Sequence, residues 1–176
     1  MSIIDLAEYK KTVGQISVIK PKEIVYLPVA PQITARTRFA SAIPKKISFM
    51  MPHEAISLLD SAVNEQGENV KMAAICGPGD PFAVPDTTIK TVEMVKNKYP
   101  HIEIGLGTLG IGSEKFAAEF ASVGVDYVEM TVNGVDAKIL ERLYAWIRPG
   151  LKTLKISDAA KLLIDEQRNG VPALKY

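Results

Sequence analysis

The residues with the clearest chemical potential lie in the turn GPGDP at residues 77–81, directly after an apolar segment. Its glycines, Gly77 and Gly79, tolerate positive φ and let backbone amides approach a ligand closely. Pro78 and Asp80 complete the turn, and Asp80 adds a carboxylate. Two interpretations stay open, because this pattern is typical both of a ligand-binding loop and of a tight strand-to-helix connection.

A second glycine-rich stretch, Gly105–Gly110, has the G-x-G-x-x-G spacing of a dinucleotide-binding loop. Gly105, however, falls inside a predicted strand. The acidic residue that should follow about 20 residues later would be Glu129, near the end of the next predicted strand. We therefore do not predict a dinucleotide site here.

Several single side chains have both a chemical and a simpler explanation. Cys76 is the only cysteine, and a lone cysteine without a cationic neighbour is usually a small hydrophobe. His53 and His101 lack ligand spacing to another donor and are predicted to lie at the surface. Arg36 and Arg38 either attract an anion such as phosphate or carboxylate, or are two solvated loop charges.

Composition narrows the classes of function. The chain has 176 residues and a formal net charge of +1 without a long basic stripe, so no nucleic-acid partner is predicted. One cysteine can form neither an internal disulfide nor an all-cysteine metal site. No apolar run approaches the roughly 20 residues of a membrane span, and the charged N-terminus has no signal-peptide core. The expected location is the cytoplasm, with no membrane partner.

The apolar pattern predicts strands and helices in alternation. Pro28 in the first strand indicates an edge strand, or a strand at its end. Ser113 and Asp136 are predicted helix caps, and Trp146 is predicted to anchor a helix to the core. The predicted strands are 24–30, 70–76, 102–106 and 125–132, and the predicted helices are 3–11, 52–66, 86–99, 113–123, 136–147 and 157–168.

Alternation of apolar strands with helices is typical of an α/β fold with a parallel sheet. We expect about four βα units in a single domain over residues 1–176, with an N-terminal extension at 1–20 and a helical tail at 151–176. Ligands of such folds bind at the carboxyl ends of the strands. The segments to watch are therefore 31–40, 77–81, 107–112 and 133–136.

Four motifs resemble a known family when they are taken in order. They are CGPGDPFAVPDTT, VDYVEMTVNGVDAKI, YAWI and DAAKLLIDEQRNG, all within residues 76–170. Together they resemble the radical S-adenosylmethionine (SAM) enzymes, and more narrowly the NifB-type family of nitrogenase cofactor biosynthesis. The resemblance implies a partial TIM barrel with helices outside. The family has six βα units, so this chain would be a shortened form.

The resemblance also implies a cofactor site. In the family the GPGDP turn holds the amino group of SAM, which places Gly77–Asp80 at the cofactor with Asp80 as the anionic partner. Thr108 lies in a segment that corresponds to a family L-S-T-N-G motif, from which this chain departs at Gly107 and Leu109. Asn133 matches a family position that lines the pocket.

The cluster ligands of the family are missing. The family carries a C-x₃-C-x₂-C triplet after its first strand, with an aromatic residue before the last cysteine. Phe39 keeps the aromatic position here, which places Ile33, Thr37 and Ala40 where the three cysteines belong. Aliphatic and hydroxyl side chains cannot replace thiolates on an iron–sulfur centre. A 4Fe-4S cluster is not expected, and neither is radical catalysis by this chain alone.

The sequence thus favours a binding or accessory protein related to metallocofactor biosynthesis, with SAM or a nucleoside-like molecule as ligand. Alternatives are an enzyme of another class that uses Asp80, Glu129 and Asn133 on a small anionic substrate, a SAM-binding relative completed by a partner, and a fragment or relic. A four-stranded sheet has open edges. We expect a homodimer or the C-terminal tail to cover the strand at 125–132. A metallocofactor-assembly partner is a separate expectation, as the carrier of a metallocofactor precursor that is a further candidate ligand.

Overall fold

Four parallel strands form the main sheet of the protein. The computed structural model describes residues 23–40, 48–150 and 154–175, so the predicted helix at 3–11 and the extension at 1–20 lie outside the described residues. The strands are β1 (Glu23–Leu27), β2 (Ala35–Thr37), β3 (Val70–Ile75), β4 (Glu103–Thr108), β5 (Tyr127–Met130) and β6 (Tyr144–Ile147). The helices are α1 (Pro52–Gln66), α2 (Pro85–Lys98), α3 (Ser113–Ser122), α4 (Ala137–Leu143) and α5 (Ile156–Ala173).

The order of the main sheet is β1-β3-β4-β5, and each neighbouring pair is parallel. One row across the sheet joins Leu27, Ile75, Leu106 and Val128. Because the order follows the sequence and crossovers between parallel strands are right-handed, successive helices lie on the same face of the sheet. This is the arrangement of a partial α/β barrel, which confirms the predicted fold class.

The helix-covered face of the sheet holds the main hydrophobic core. Leu27, Ile75 and Leu106 are at most 2% exposed and pack with residues of α1, α2 and α3. Removing a side chain of this size from water stabilises the fold by about 1.5–3 kcal/mol. Each main strand therefore directs alternate residues into this core.

The opposite face, which we call the bare face, carries the other half of the strand residues. Ile24 and Tyr26 of β1 are 42% and 61% exposed, and Tyr127 of β5 is 52% exposed. Between them, β4 contributes Gly105 and Gly107 to this face. In a closed barrel this face would be the interior.

A second layer lies beyond the main sheet. Strands β2 and β6 pair antiparallel, and the buried residues of β6, α4 and α5 form a second hydrophobic core. Helix α5 packs against α3 and α4. A Cβ on Gly170 of α5 would lie 2.5 Å from the Cβ of Ser113, so glycine is required where the two helices touch.

Two local predictions are wrong. The predicted helix 136–147 ends at Leu143, and the residues that follow form β6, so Trp146 is a strand residue rather than a helix anchor. The backbone groups of Tyr144–Ile147 find their hydrogen-bond partners in β2, so the helix need not continue to satisfy them. Ser113 does not cap α3: Gly112, at φ 86°, occupies the cap position, and the buried Ser113 hydroxyl has no hydrogen-bond partner among the described residues.

Other local predictions are confirmed. Strand β1 lies at an edge of the sheet and ends just before Pro28. Asp136 caps α4, accepting hydrogen bonds from the backbone amides of Lys138 and Ile139 at 2.8 and 3.1 Å. His53 and His101 are both exposed. Among the helices of the three described ranges, none combines the length and the apolar character that a membrane crossing requires.

Candidate functional site

The GPGDP turn lies at the carboxyl end of β3, with the segment after β1 packed directly on it. The amide of Gly79 donates to the carbonyl of Ala30 at 2.6 Å, and the amide of Asp80 donates to the carbonyl of Gln32 at 2.9 Å. A Cβ on Gly79 would overlap the backbone of Gln32, so this close approach requires glycine. Gly77, at φ 59°, starts the turn in a conformation that also favours glycine.

The carboxylate of Asp80 points into the protein and is 5% exposed. Its Oδ1 accepts from the amide of Phe82 at 3.0 Å, and its Oδ2 accepts from the amide of Leu109 at 2.8 Å. The hydroxyl of Thr108 lies 2.8 and 3.0 Å from the two oxygens. These partners join the turn after β3 to the turn after β4.

Burial and hydrogen bonding act on Asp80 in opposite directions. Burial raises the pKa of this carboxyl above its ordinary value because it disfavours the charged form. The amide of Leu109 and the hydroxyl of Thr108 favour the charged form and lower the pKa, but by less than burial raises it. The side chain is therefore an internal acceptor, with its oxygens already engaged.

Thr108 is also 5% exposed and serves two partners at once. Its hydroxyl faces Asp80 and accepts the amide of Gly110 at 2.9 Å. The structure thus brings Asp80 and Thr108 together, as expected for residues at the ends of neighbouring parallel strands. Whether they contact a ligand remains a prediction.

Asn133 lies apart from this pair. Its side-chain amide donates to the hydroxyl of Tyr144 at 2.7 Å. Tyr144 is 2% exposed and belongs to the second core, and burial raises the pKa of its phenol. The connection from β4 to the chain before Asn133 is made by the backbone, where the amide of Thr131 donates to the carbonyl of Thr108 at 2.9 Å.

A third group of residues lies on the bare face near the same end of the sheet. Cys76 follows β3, and the register places Gly107 opposite Glu129. A Cβ on Gly107 would be 3.4 Å from the Cβ of Cys76, so these three positions are neighbours across the sheet. Burial raises the pKa of the Cys76 thiol, and the negative charge of Glu129 raises it further by a smaller amount.

The segment that the sequence predicts to correspond to the cluster loop of the family contains β2. Thr37 lies in β2, opposite Tyr144 of β6, and the amide of Arg38 donates to the carbonyl of Leu143 at 2.8 Å. Ile33 is half-buried and Ala40 is exposed in the turn after β2. The donor set at these three positions does not fit an iron–sulfur cluster, because none of the side chains is a thiolate. Within the described ranges, no three His, Cys, Asp or Glu side chains are grouped to hold a metal ion.

Sequence reasoning missed the contribution of α5 to this end of the sheet. Gln167, 5% exposed, donates to the carbonyls of Leu109 and Thr131 at 2.8 and 3.0 Å. The carboxylate of the neighbouring Glu166 accepts the amide of Gly112 at 2.8 Å. The motif DAAKLLIDEQRNG contains both residues, but its helical pattern alone does not reveal which loop they reach.

Comparison with known proteins finds relatives that share the name FeMo cofactor biosynthesis protein NifB. No family model matches the chain. It is 31% identical over 162 residues to the FeMo cofactor biosynthesis protein NifB of Chlorobaculum tepidum, which covers 86% of this chain and 38% of the relative. The NifB proteins of Frankia alni and Methanocaldococcus jannaschii are 32% and 29% identical over 127 and 157 residues. These matches cover 72% and 84% of this chain but 25% and 52% of the relatives, so the chain spans about half of their length or less.

Proposed function

Because this chain belongs to a NifB-like family, we propose that it serves metallocofactor biosynthesis as a binding or accessory protein without radical chemistry of its own. The relatives are named for biosynthesis of the FeMo cofactor, which supports the process. The absence of radical chemistry is inferred from the loop after β1. In a radical SAM reaction the iron–sulfur cluster supplies the electron, and this loop offers no ligands for such a cluster.

One observation carries this proposal: part of the loop after β1 forms strand β2, and its backbone is paired with β6. Thr37 pairs with Tyr144, and Arg36 pairs with Trp146 in the same ribbon. Ile33, at the first of the three positions, follows Gln32, whose carbonyl is bonded to the GPGDP turn. The segment therefore has backbone partners on both sides in addition to side chains that cannot bind soft iron.

Anaerobic reconstitution with iron and sulfide tests the absence of the cluster. We expect the desalted protein to be colourless and to retain far less than the roughly four irons per chain of a 4Fe-4S centre. A variant with Ile33→Cys, Thr37→Cys and Ala40→Cys is the matched comparison. Brown wild-type protein that cleaves SAM to 5′-deoxyadenosine would contradict the proposal.

The ligand that we propose is SAM or a related nucleoside, bound at the carboxyl ends of β3, β4 and β5. The position and sequence of the GPGDP turn support this ligand, although the carboxylate of Asp80 is engaged internally. We therefore assign the ligand contacts to exposed groups at this end, with Asn133 as the side chain to test.

Thermal unfolding in the presence of SAM tests the ligand. A ligand that binds only the folded state stabilises it by about 2.7 kcal/mol at a hundredfold excess over Kd, so the Tm must rise with concentration. Asn133→Ala should reduce the rise, whereas Val171→Ala, on the outer surface of α5, should leave it unchanged. No rise with SAM or methylthioadenosine at millimolar concentration would contradict this ligand class but not the absence of radical chemistry.

The geometry does not favour the alternative enzyme. Asp80 is bonded to Thr108, whose side chain is buried, whereas Glu129 is exposed on the bare face. Asn133 is bonded to Tyr144 of the second core. A shared catalytic site needs its acid and base within reach of one substrate atom. We therefore propose no reaction for these three residues.

A further inference from the structure

The two-stranded ribbon of β2 and β6 concentrates positive charge without any acidic residue. Arg36 lies in β2, Arg38 follows this strand and Arg148 follows β6. The ribbon lies within the segments 31–40 and 143–150, and neither segment contains an Asp or a Glu. Since the formal net charge of the whole chain is only +1, this charge is a local property of the ribbon.

Strand pairing places arginine and tryptophan on one face of the ribbon. Arg36 is directly opposite Trp146. Ile147, the next residue of β6, is buried in the second core. Because neighbouring residues of a strand point to opposite faces, Arg36 and Trp146 point away from that core. Arg148 belongs to the same face, with its guanidinium carbon 4.8 Å from the centroid of the Trp146 ring.

Arg38 extends this face beyond the end of β2. It lies two residues after Arg36, and its amide is still bonded to the carbonyl of Leu143 on the neighbouring segment. The alternation of the strand therefore continues to Arg38 and gives it the orientation of Arg36. We call the face formed by Arg36, Arg38, Trp146 and Arg148 the arginine face.

The guanidinium groups of the arginine face are accessible and have no acidic partner among the described residues. Arg38 and Arg148 are exposed, and Arg36 is half-buried. The salt bridges within the described ranges are made by Lys96 and Lys98. Three like charges on one short face repel one another, and an anion bound between them would relieve this repulsion.

The chemistry of these side chains favours phosphate as the anion. A guanidinium group is planar and presents its N–H donors in a fork that matches phosphate or carboxylate oxygens. A phosphate monoester carries a charge of about −1.5 to −2 and three acceptor oxygens, more than a carboxylate offers. Several closely spaced guanidinium groups therefore match a chain of phosphates better than they match a single carboxylate.

We propose that the arginine face binds the phosphate chain of a small molecule, either an inorganic polyphosphate or a nucleoside polyphosphate. Arg36, Arg38 and Arg148 donate hydrogen bonds to the phosphate oxygens. Phe39 is 70% exposed directly after Arg38 and offers an aromatic ring on which the base of a nucleotide can stack. SAM carries no phosphate, so this site does not rest on the ligand proposed for the strand ends.

Isothermal titration of the full chain with sodium tripolyphosphate at low salt tests the site. We expect saturable binding that weakens as the salt concentration rises, because exposed charges are screened. Arg36→Ala, Arg38→Ala and Arg148→Ala should each raise the Kd roughly tenfold, as expected for a lost charge-assisted hydrogen bond. Arg168→Ala is the matched control, because it removes the same charge from an exposed position of α5 outside the ribbon. It should leave the Kd unchanged, and circular dichroism should show that all four variants are folded.

The fluorescence of Trp146 locates the bound phosphate independently. Trp146 is the only tryptophan, and the guanidinium of Arg148 lies over its ring. Tripolyphosphate that engages Arg148 should therefore change the emission with the same midpoint as the calorimetric titration. Calorimetric binding without any change in emission would place the phosphate elsewhere and would overturn the proposal.

ATP and citrate complete the test. Tighter binding of ATP than of tripolyphosphate, with the difference lost in Phe39→Ala, identifies a nucleotide, whereas equal affinities identify the phosphate chain alone as the ligand. Citrate carries three carboxylates and should bind much more weakly than either, so equal affinity for citrate overturns the choice of phosphate. No binding of tripolyphosphate or ATP at millimolar concentration overturns the proposal. An equal loss of affinity in Arg168→Ala does so too, because it would show that the ribbon has no special role.

Discussion

At the scale of single residues, Asp80 explains how one end of the sheet is held together. Its carboxylate accepts from two backbone amides and from Thr108, and these partners lie in two different turns. A glycine at position 79 lets the segment after β1 join the same arrangement through Gln32. The residues that the sequence marks for ligand chemistry are thus also the residues that fix the local backbone.

Asp80→Asn tests the balance between burial and hydrogen bonding. The amide offers fewer acceptor sites to the amides of Phe82 and Leu109, so we expect a loss of about 1–3 kcal/mol of stability. Because burial raises the folded-state pKa, the folded protein keeps the proton at a pH where the unfolded chain has lost it. The contribution of Asp80 must then fall as the pH rises above about 3.9, its ordinary pKa.

The measurement is urea unfolding of both proteins from pH 3.5 to 7. The deficit of the asparagine variant should be largest in acid and should shrink as the pH rises. A deficit that grows with pH would show that the hydrogen bonds from Leu109 and Thr108 outweigh burial at this site.

Gly79→Ala tests the close approach between the GPGDP turn and the segment after β1. The new Cβ overlaps the backbone of Gln32, which cannot move as freely as the end of a side chain. We expect a loss of about 1–3 kcal/mol or more, measured by chemical unfolding. Gly107→Ala is the matched control, because its Cβ would meet only the Cβ of Cys76 at an ordinary 3.4 Å. Equal effects of the two substitutions would contradict this account.

At the scale of elements, local patterns predict the main sheet well. The period and the turn residues place β1, β3, β4 and β5 within a few residues of their observed bounds. The ribbon of β2 and β6 was not predicted, because its two strands are far apart in the sequence and each is short. Tyr144–Ile147 continues an apolar helical pattern, and only the pairing with β2 makes it a strand.

For the candidate site, the sequence predicts which turns come together but not how their side chains are oriented. The turn GPGDP and Thr108 were placed at neighbouring strand ends, and the structure brings them together. The inward orientation of Asp80 depends on its burial and on the hydrogen bonds with Thr108 and Leu109 of the next strand and turn, which no local pattern encodes. Gln167 was missed for a similar reason, since its two carbonyl partners come from different loops.

Gln167→Ala tests the connection between α5 and the end of the sheet. It removes the donor to two backbone carbonyls at a 5% exposed position, so we expect a loss of about 1–3 kcal/mol. Arg168→Ala, at the next and exposed position, should change stability by no more than about 0.5 kcal/mol. Unfolding in guanidinium chloride measures both. An unchanged free energy of unfolding for Gln167→Ala would contradict this account, because it would show that water replaces the side-chain hydrogen bonds without loss of stability.

At the scale of the whole molecule, two hydrophobic cores are joined by a small number of polar contacts. The main core lies between the sheet and α1, α2 and α3, and the second core includes β6, α4 and α5. Gln167 and Glu166 connect α5 to the loops at the end of the main sheet. Gly170 adds a close contact between α5 and α3.

These connections predict that the two cores unfold together. Trp146 is the only tryptophan, and it lies in the ribbon of the second layer beneath Arg148, whose guanidinium is 4.8 Å from the ring centroid. Its fluorescence therefore reports on the second layer, whereas far-UV circular dichroism is dominated by all the helices. The two signals should give the same midpoint in a denaturant titration. Distinct midpoints would mean that the second layer melts alone.

The sequential strand order has a consequence for how such a protein can change over evolutionary time. Within the main sheet each crossover turns the same way, so each of the four strands lies beside the one that precedes it in that sheet. A sheet with this order can gain or lose a strand and its helix at an edge while the remaining strands keep their pairing. Relatives of different length, such as those that this chain matches over 25% and 52% of their sequence, are compatible with such a modular arrangement.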